Sequence, residues 1–199
     1  MKLFYAPGAC SLSPHIVACE AGIDLELCKV DLQAKQTESG GDYTQINPKG
    51  CVPALQLEGG EMLTEGPAIV QFLAEQKPDA KLAPEYGTLD HYRVLEWLNY
   101  IASEVHKTFV PLFWGAPDEE KQRAKTLLGK RFQFVEERLA GDYLMGSEFS
   151  IADAYLFTVY SWCDKVGVDT GDWPKRKAFA ERMAARPGVQ KALKEEGLL

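Results

Sequence analysis

The sequence predicts a small α/β domain followed by an all-helical domain. Two observations carry this reading. Through about residue 76, strand-type and helix-type segments alternate in the order β-α-β, then β-β-α. Beyond Lys77-Pro78-Asp79-Ala80-Lys81-Leu82-Ala83-Pro84, which reads as a linker, strand signals stop and only helical patterns remain.

The elements follow in chain order. Lys2 to Tyr5 reads as a strand. Ser11 or Ser13 can cap a helix running to about Ala21, with Pro14 tolerated in its first turn and Gly22 ending it. Glu26 to Val30 alternates polar and apolar residues, as a half-buried strand does. Asp31 to Gly50 is polar and glycine-containing, with at most a short helix around Asp42 to Ile46. Pro53 to Leu57 and Glu61 to Leu63 flank Gly59-Gly60 and form a hairpin, because glycines supply the positive φ angles of a tight turn. Pro67 opens a helix through about Gln76, with Gly66 as its cap. After the linker, Leu89 to Val110 reads as one long helix ending at Pro111. A second runs from Asp118-Glu119-Glu120, acids first as the helix dipole prefers, to about Leu139. Ser150-Ile151-Ala152-Asp153 is a capping box introducing an apolar helix over Ala154 to Val166. Trp173-Pro174 opens a further helix to about Ala185, and Pro187 interrupts the tail.

Composition narrows the function classes. The chain is 46% hydrophobic and 26% charged, ordinary for a globular protein. Its net charge of -7 argues against broad binding of nucleic acid or anionic membranes. No apolar stretch approaches the roughly 18 to 20 residues of a membrane span, and the N-terminus shows no secretory signal. The cysteines (Cys10, Cys19, Cys28, Cys51, Cys163) form an odd set without metal-ligand spacing. A reduced cytoplasmic protein without a metal is therefore expected.

Cys10 is the residue richest in chemical content. It follows a Pro7-Gly8 turn between the first strand and the first helix. Helix-start N–H groups have no internal partners, and they favour the thiolate over the thiol. Cys10 and Ser13 have Cys-x-x-Cys spacing with serine in second place, so no internal disulfide can close. A monothiol mechanism resolved by an external thiol remains open, as does a plain buried cysteine.

Three other stretches carry weaker signals. A cis Val52-Pro53 bond would free the Val52 backbone to pair with an extended peptide, whereas a trans proline at a strand start is the commoner case. Thr64-Glu65-Gly66-Pro67 places backbone N–H groups where a carboxylate could bind. Asn99, Ser103 and His106 fall at i, i+4 and i+7 and form one polar stripe, beside an apolar face of Leu98, Ile101, Ala102, Val105 and Phe109. Such a stripe is usually a solvated face. His15 and His91 have still less context.

Together these segments resemble the glutathione S-transferase family, most closely its bacterial beta class. The resemblance rests on Tyr5-Ala6-Pro7-Gly8-Ala9-Cys10-Ser11-Leu12-Ser13-Pro14-His15, on Asn47-Pro48-Lys49-Gly50-Cys51-Val52-Pro53-Ala54-Leu55, and on Leu63-Thr64-Glu65-Gly66-Pro67-Ala68-Ile69. Glu96-Trp97-Leu98-Asn99-Tyr100-Ile101, His106-Lys107 and Ser150-Ile151-Ala152-Asp153-Ala154-Tyr155 extend it through the second half.

The resemblance implies a thioredoxin-like glutathione-binding domain over 1–80, a helical-bundle domain over 87–199 and a homodimer. It implies a cis Val52-Pro53 bond, with glutathione lying along Val52. The γ-glutamyl carboxylate would meet the N–H groups of Glu65 and Gly66, and Lys35 would take the glycyl carboxylate. Asn99 and Glu104 are similar to residues that reach in from the partner subunit. Ser103 and His106 would line the site near the sulfur, so that the polar stripe faces a cleft. Cys10 would sit beside the bound sulfur, His106 would hydrogen-bond that sulfur or take its proton, and Ser11 and Lys107 are secondary candidates. Many family members have serine where this chain has Gly66, so weaker glutathione binding is expected. Cys51 is unusual beside the proline.

The implied activity is conjugation of the glutathione thiolate to small hydrophobic electrophiles. Thiol-disulfide exchange or reductive dehalogenation through Cys10, and a non-catalytic binding or regulatory protein on the same fold, are the alternatives. The electrophile pocket would draw on Tyr5, residues Phe109 to Trp114, and Trp162.

Overall fold

The computed structural model describes residues 1–139, 141–169 and 173–199. The chain divides into two compact units, residues 1–83 with 185–199, and residues 84–184.

The first unit is a five-stranded sheet with helices. The strands are β1 (Lys2–Tyr5), β2 (Glu26–Asp31), β3 (Gln36–Thr37), β4 (Ala54–Gln56) and β5 (Met62–Thr64), in spatial order β3-β2-β1-β4-β5. β1 pairs parallel to β2, with Leu3 opposite Leu27, and antiparallel to β4, with Phe4 opposite Ala54. The hairpin β4–β5 is antiparallel, with Leu55 opposite Leu63, and Gly60 supplies its positive φ of 94°. The two-residue β3, antiparallel to β2, adds an edge that the sequence pattern does not reveal.

Leu3 and Phe4, adjacent on the central strand, point to opposite faces and are both buried. On one side Phe4, Val30, Tyr43, Val52 and Ala54 make one apolar cluster. Helix α1 (Leu12–Ala21) packs against α2 (Gly66–Gln76) and against the last helix, Pro187–Glu195. Being covered by two helices, α1 is buried from Leu12 through Ala18 rather than along one stripe. Gly22 ends it in the left-handed region, its N–H reaching back to the carbonyls of Ala18 and Cys19. The N-cap of α2 is Glu65 rather than Gly66, one residue earlier than the sequence suggests.

The second unit is helical. Helix α3 (Leu89–Tyr100) does not run to Val110. It passes into a π-helical turn at Ile101–Val105, then a 3₁₀ turn at His106–Phe109, then the short α4 (Val110–Phe113). Pro111 lies inside α4 rather than ending the helix, since a first-turn proline forfeits no helical bond. Helix α5 (Asp118–Arg138) follows. The single expected helix over 154–166 is two: α6 (Ile151–Tyr160) and α7 (Trp162–Val166). Helix α6 is buried along its whole length, and its apolar sequence has no polar face to expose. Helix α8 (Pro174–Ala184) starts on the buried Glu136, whose carboxylate accepts from the N–H groups of Lys175 (2.9 Å) and Arg176 (3.0 Å).

The last helix, α9 (Pro187–Glu195), belongs to the first unit, so the expected helical domain over 87–199 loses its tail. Among the described residues, no helix is long and apolar enough to cross a membrane.

Candidate active site

In the first unit, the loop from Ala6 to Ser11 sets Cys10 in place. Ala9 N–H bonds to Ala6 O, and Leu12 N–H to Ala9 O, at 3.0 Å each. The buried Ser11 hydroxyl accepts from Ala6 N–H at 3.1 Å and donates to Ala6 O at 3.2 Å. That hydroxyl closes the loop. Ser13 Oγ donates to Cys10 O at 2.9 Å.

The Cys10 thiol donates to the carbonyl oxygen of Val52 at 3.0 Å. The Val52-Pro53 bond is cis. Two side chains fix the preceding carbonyl, that of Cys51: Tyr43 Oη donates to it at 2.9 Å and Asn47 Nδ2 at 2.7 Å. Asn47 opens one of the segments that carry the resemblance but has no role assigned there, and Tyr43 lies outside those segments. Cys51 itself is exposed.

Burial pushes the Cys10 thiol up to about 12, outweighing the backbone N–H groups of Cys10 and Ser11 that favour the anion. The expectation of a helix-start thiolate is thereby corrected. Helix α1 begins two residues later, and a carbonyl acceptor holds the thiol proton.

Around Val52 lie the charged groups. Lys35, in the left-handed region at φ 55°, lays its ammonium on Gly50 O at 2.9 Å. Glu65 has φ 72° and ψ 117°, a conformation costly for a residue with a Cβ, at the start of α2. Its exposed carboxylate meets Lys49 Nζ at 2.7 Å, and Lys49 also reaches Thr64 Oγ1 at 2.8 Å. Lys49 is a cation at this helix start that sequence reasoning did not single out. Gly66 is buried. A Cβ built on it meets only Pro53 Cγ and Ser13 Oγ, each at 4.0 Å.

In the second unit, the remaining candidates sit where α3 loses its regular winding. Asn99 and Ser103 are exposed and stacked, Ser103 Oγ donating to Asn99 O at 2.9 Å. Glu104 is ion-paired with Arg131 of its own chain. His106 follows the π turn. Its Nδ1 lies 2.7 Å from Tyr155 Oη, and its ring meets Trp162 edge-on at 4.9 Å. Lys107 is exposed beside it. Irregular turns of this kind recur at functional sites because they re-aim a side chain. Of the residues expected to meet an electrophile, Tyr5, Phe109 and Trp162 are buried, while Val110, Phe113 and Trp114 are exposed.

The glutathione S-transferase N-terminal domain family matches residues 8–76, and the glutathione S-transferase C-terminal domain family matches residues 100–187. Over 100% of both chains, the sequence is 49% identical to the glutathione S-transferase GstA of Escherichia coli O157:H7. The structure is similar to that of a bacterial beta class glutathione S-transferase from Sphingomonas chungbukensis, with TM-score 0.96, 48% identity and 100% of each chain covered. It is similar also to a sphingomonad glutathione S-transferase complexed with glutathione, with TM-score 0.95, 47% identity and 100% of each chain covered. The fold thus combines a thioredoxin-like sheet domain with a helical domain. The chain belongs to the glutathione S-transferase family.

Proposed function

We propose that the protein transfers the glutathione thiolate to small hydrophobic electrophiles. The observation that carries this is the Cys10 thiol on the Val52 carbonyl, which brings a sulfur to the backbone edge along which an extended tripeptide would pair. The sphingomonad relative's glutathione complex supports the ligand.

In this reading the γ-glutamyl carboxylate meets the N–H groups of Glu65 and Gly66 at the positive end of α2. Lys35 takes the glycyl carboxylate, and Val52-Pro53 holds the central residue. Cys10 stays a thiol and, when glutathione binds, turns its one proton from the Val52 carbonyl to the glutathione sulfur, stabilising its thiolate. His106, oriented by Tyr155, hydrogen-bonds that sulfur or accepts its proton. Lys107 adds positive potential. Ser103 lines the site, and Asn99 and Glu104 act across a homodimer from the partner subunit. The exposed Phe113 and Trp114 offer apolar surface to the electrophile. The protein works in the cytoplasm, as a detoxification enzyme.

Cys10 can also enter a mixed disulfide. Its thiolate would attack one sulfur of glutathione disulfide and expel the other half as glutathione thiolate. The test is Cys10→Ala, assayed with glutathione and an activated aryl halide, together with peptide-mapped mass of the wild type after exposure to glutathione disulfide, which separates an adduct on Cys10 from one on the exposed Cys51. Conjugation by the variant within about ten-fold of wild type is expected, since one donated hydrogen bond is lost, and a glutathione adduct is expected on the wild-type Cys10 peptide. Failure of the wild type both to bind immobilised glutathione and to turn over the aryl halide would overturn the reading in favour of a binding protein.

A further inference from the structure

We propose that His15, Cys19 and Glu195 form a binding site for a divalent transition-metal ion of the zinc type. The sequence shows no metal-ligand spacing among its cysteines, but the fold supplies a mixed set. His15 and Cys19 stand four residues apart on α1, so they share one face. Glu195 closes α9, which packs along α1. Glu195 Oε2 lies 2.8 Å from His15 Nε2 and 3.9 Å from Cys19 Sγ. One donor atom from each residue lies within 4.8 Å of the other two.

The donor set decides the metal class. Imidazole nitrogen, thiolate sulfur and one carboxylate oxygen suit zinc and its borderline neighbours, whereas magnesium and calcium demand oxygen. Three protein ligands leave the fourth tetrahedral position to water. That position has an approach from solvent, because Cys19 is part-exposed and Glu195 exposed while His15 is buried.

A second shell is already in place. His15 Nδ1 is 3.0 Å from Glu196 Oε1, and the Glu196 side chain has no exposed surface. A buried carboxylate on the far nitrogen fixes the ring and presents Nε2 outward, as in metal-ligating histidines. Glu196 is itself held by the N–H of Gly8, which donates to Oε2 at 2.8 Å.

Little movement is needed. Bonds of about 2.0–2.3 Å around a tetrahedral ion set ligand atoms roughly 3.3–3.6 Å apart. The Glu195 carboxylate therefore withdraws from His15 by about half an ångström, and its exposed side chain is free to do so. The competing cation is Lys191, 3.9 Å from Glu195 Oε1. Its ammonium also lies 3.5 Å from Asp24 Oδ1, where it can remain. On binding, the Cys19 thiol and the His15 Nε2 that faces Glu195 each give up a proton to solvent, and three metal–ligand bonds replace the hydrogen bonds to Glu195. The ion would clamp α1 to α9.

Titration of the full chain with cobalt(II), followed by zinc(II) displacement, tests this. One cobalt per chain is expected, with a thiolate-to-cobalt charge-transfer band that zinc abolishes. Cys19→Ser should remove the band, and Cys19→Ser and Glu195→Gln should each weaken binding at least ten-fold. Cys51→Ser should leave band and affinity unchanged. Zinc should raise the thermal midpoint of the wild type and not that of Cys19→Ser. Absence of stoichiometric binding in the wild type, or a band that survives Cys19→Ser, would overturn the site. Both variants change groups that retain solvent exposure, and the buried His15 stays intact.

Discussion

Two neighbouring forces compete at the sulfur of Cys10. Backbone N–H groups favour its anion, while burial and the Val52 carbonyl favour the thiol, and the thiol wins, with the pKa pushed up to about 12. Because the value is raised, the thiolate fraction at neutral pH is roughly a thousand-fold below that of an ordinary cysteine. Without glutathione, Cys10 should therefore alkylate at least a hundred-fold more slowly than exposed Cys51 at pH 7.5, as read by peptide mass after a timed iodoacetamide pulse. The rate should climb roughly ten-fold per pH unit through pH 10. A plateau near neutral pH would show a standing thiolate instead. Gly66 offers a gain by contrast. Its surroundings have room for a Cβ, so Gly66→Ser places a hydroxyl at the start of α2 without displacing Pro53 or Ser13. One added hydrogen bond, worth about 1 kcal/mol, should tighten glutathione about five-fold by calorimetry. Unchanged or weaker binding would mean that no ligand carboxylate sits there. Cys10 was legible from sequence because a Pro-Gly turn announces where it stands. His15 was not, because Glu195 and Glu196 lie about 180 residues away.

Elements were legible where local chemistry decides them. The capping box at Ser150–Asp153 is an example. The fully buried Asp153 carboxylate accepts from Leu144 N–H, Ser150 N–H and Ser150 Oγ, each at 2.8 Å. It both starts α6 and pins the preceding loop. Asp153→Ala would strand buried donors and should cost about 3 kcal/mol, lowering the urea midpoint without changing the m-value. Asp153→Asn keeps one acceptor oxygen and should cost about half as much. Equal stability of Asp153→Ala and wild type would show that the loop finds other partners. Elements were illegible where tertiary contacts decide. The π turn at Ile101–Val105 leaves apolar residues at spacings that also suit a continuous helix, and the buried Ile101, Val105 and Phe109 register the break only once packed. β3, two residues long, is too short to show any period.

At the scale of the molecule, the chain leaves its first unit at residue 84 and returns to it at residue 185. Sequence pattern assigns the tail to the helical half because helix follows helix there. Only the long-range contacts of α9 with α1 reassign it. The return has three anchors. Val189 and Ala192 are fully buried. Arg186 is paired with Glu20, Nη2 to Oε2 at 2.5 Å. Glu196 ties His15 and the Gly8 N–H together. Removing residues 185–199 would expose the face of α1 that α9 covers and leave the Gly8 N–H and His15 without this carboxylate. Buried aliphatic side chains contribute about 1.5–3 kcal/mol each, and orphaned buried donors cost about 1–3 kcal/mol each. Those losses rival the whole stability of an ordinary domain, about 5–15 kcal/mol. The shortened chain should therefore lose hydrogen-exchange protection across β1 and α1 while α6, sealed within the second unit, stays protected. Protection retained in β1 and α1 would show that the sheet and its first two helices are self-sufficient. Loss in α6 as well would show that the two units unfold as one.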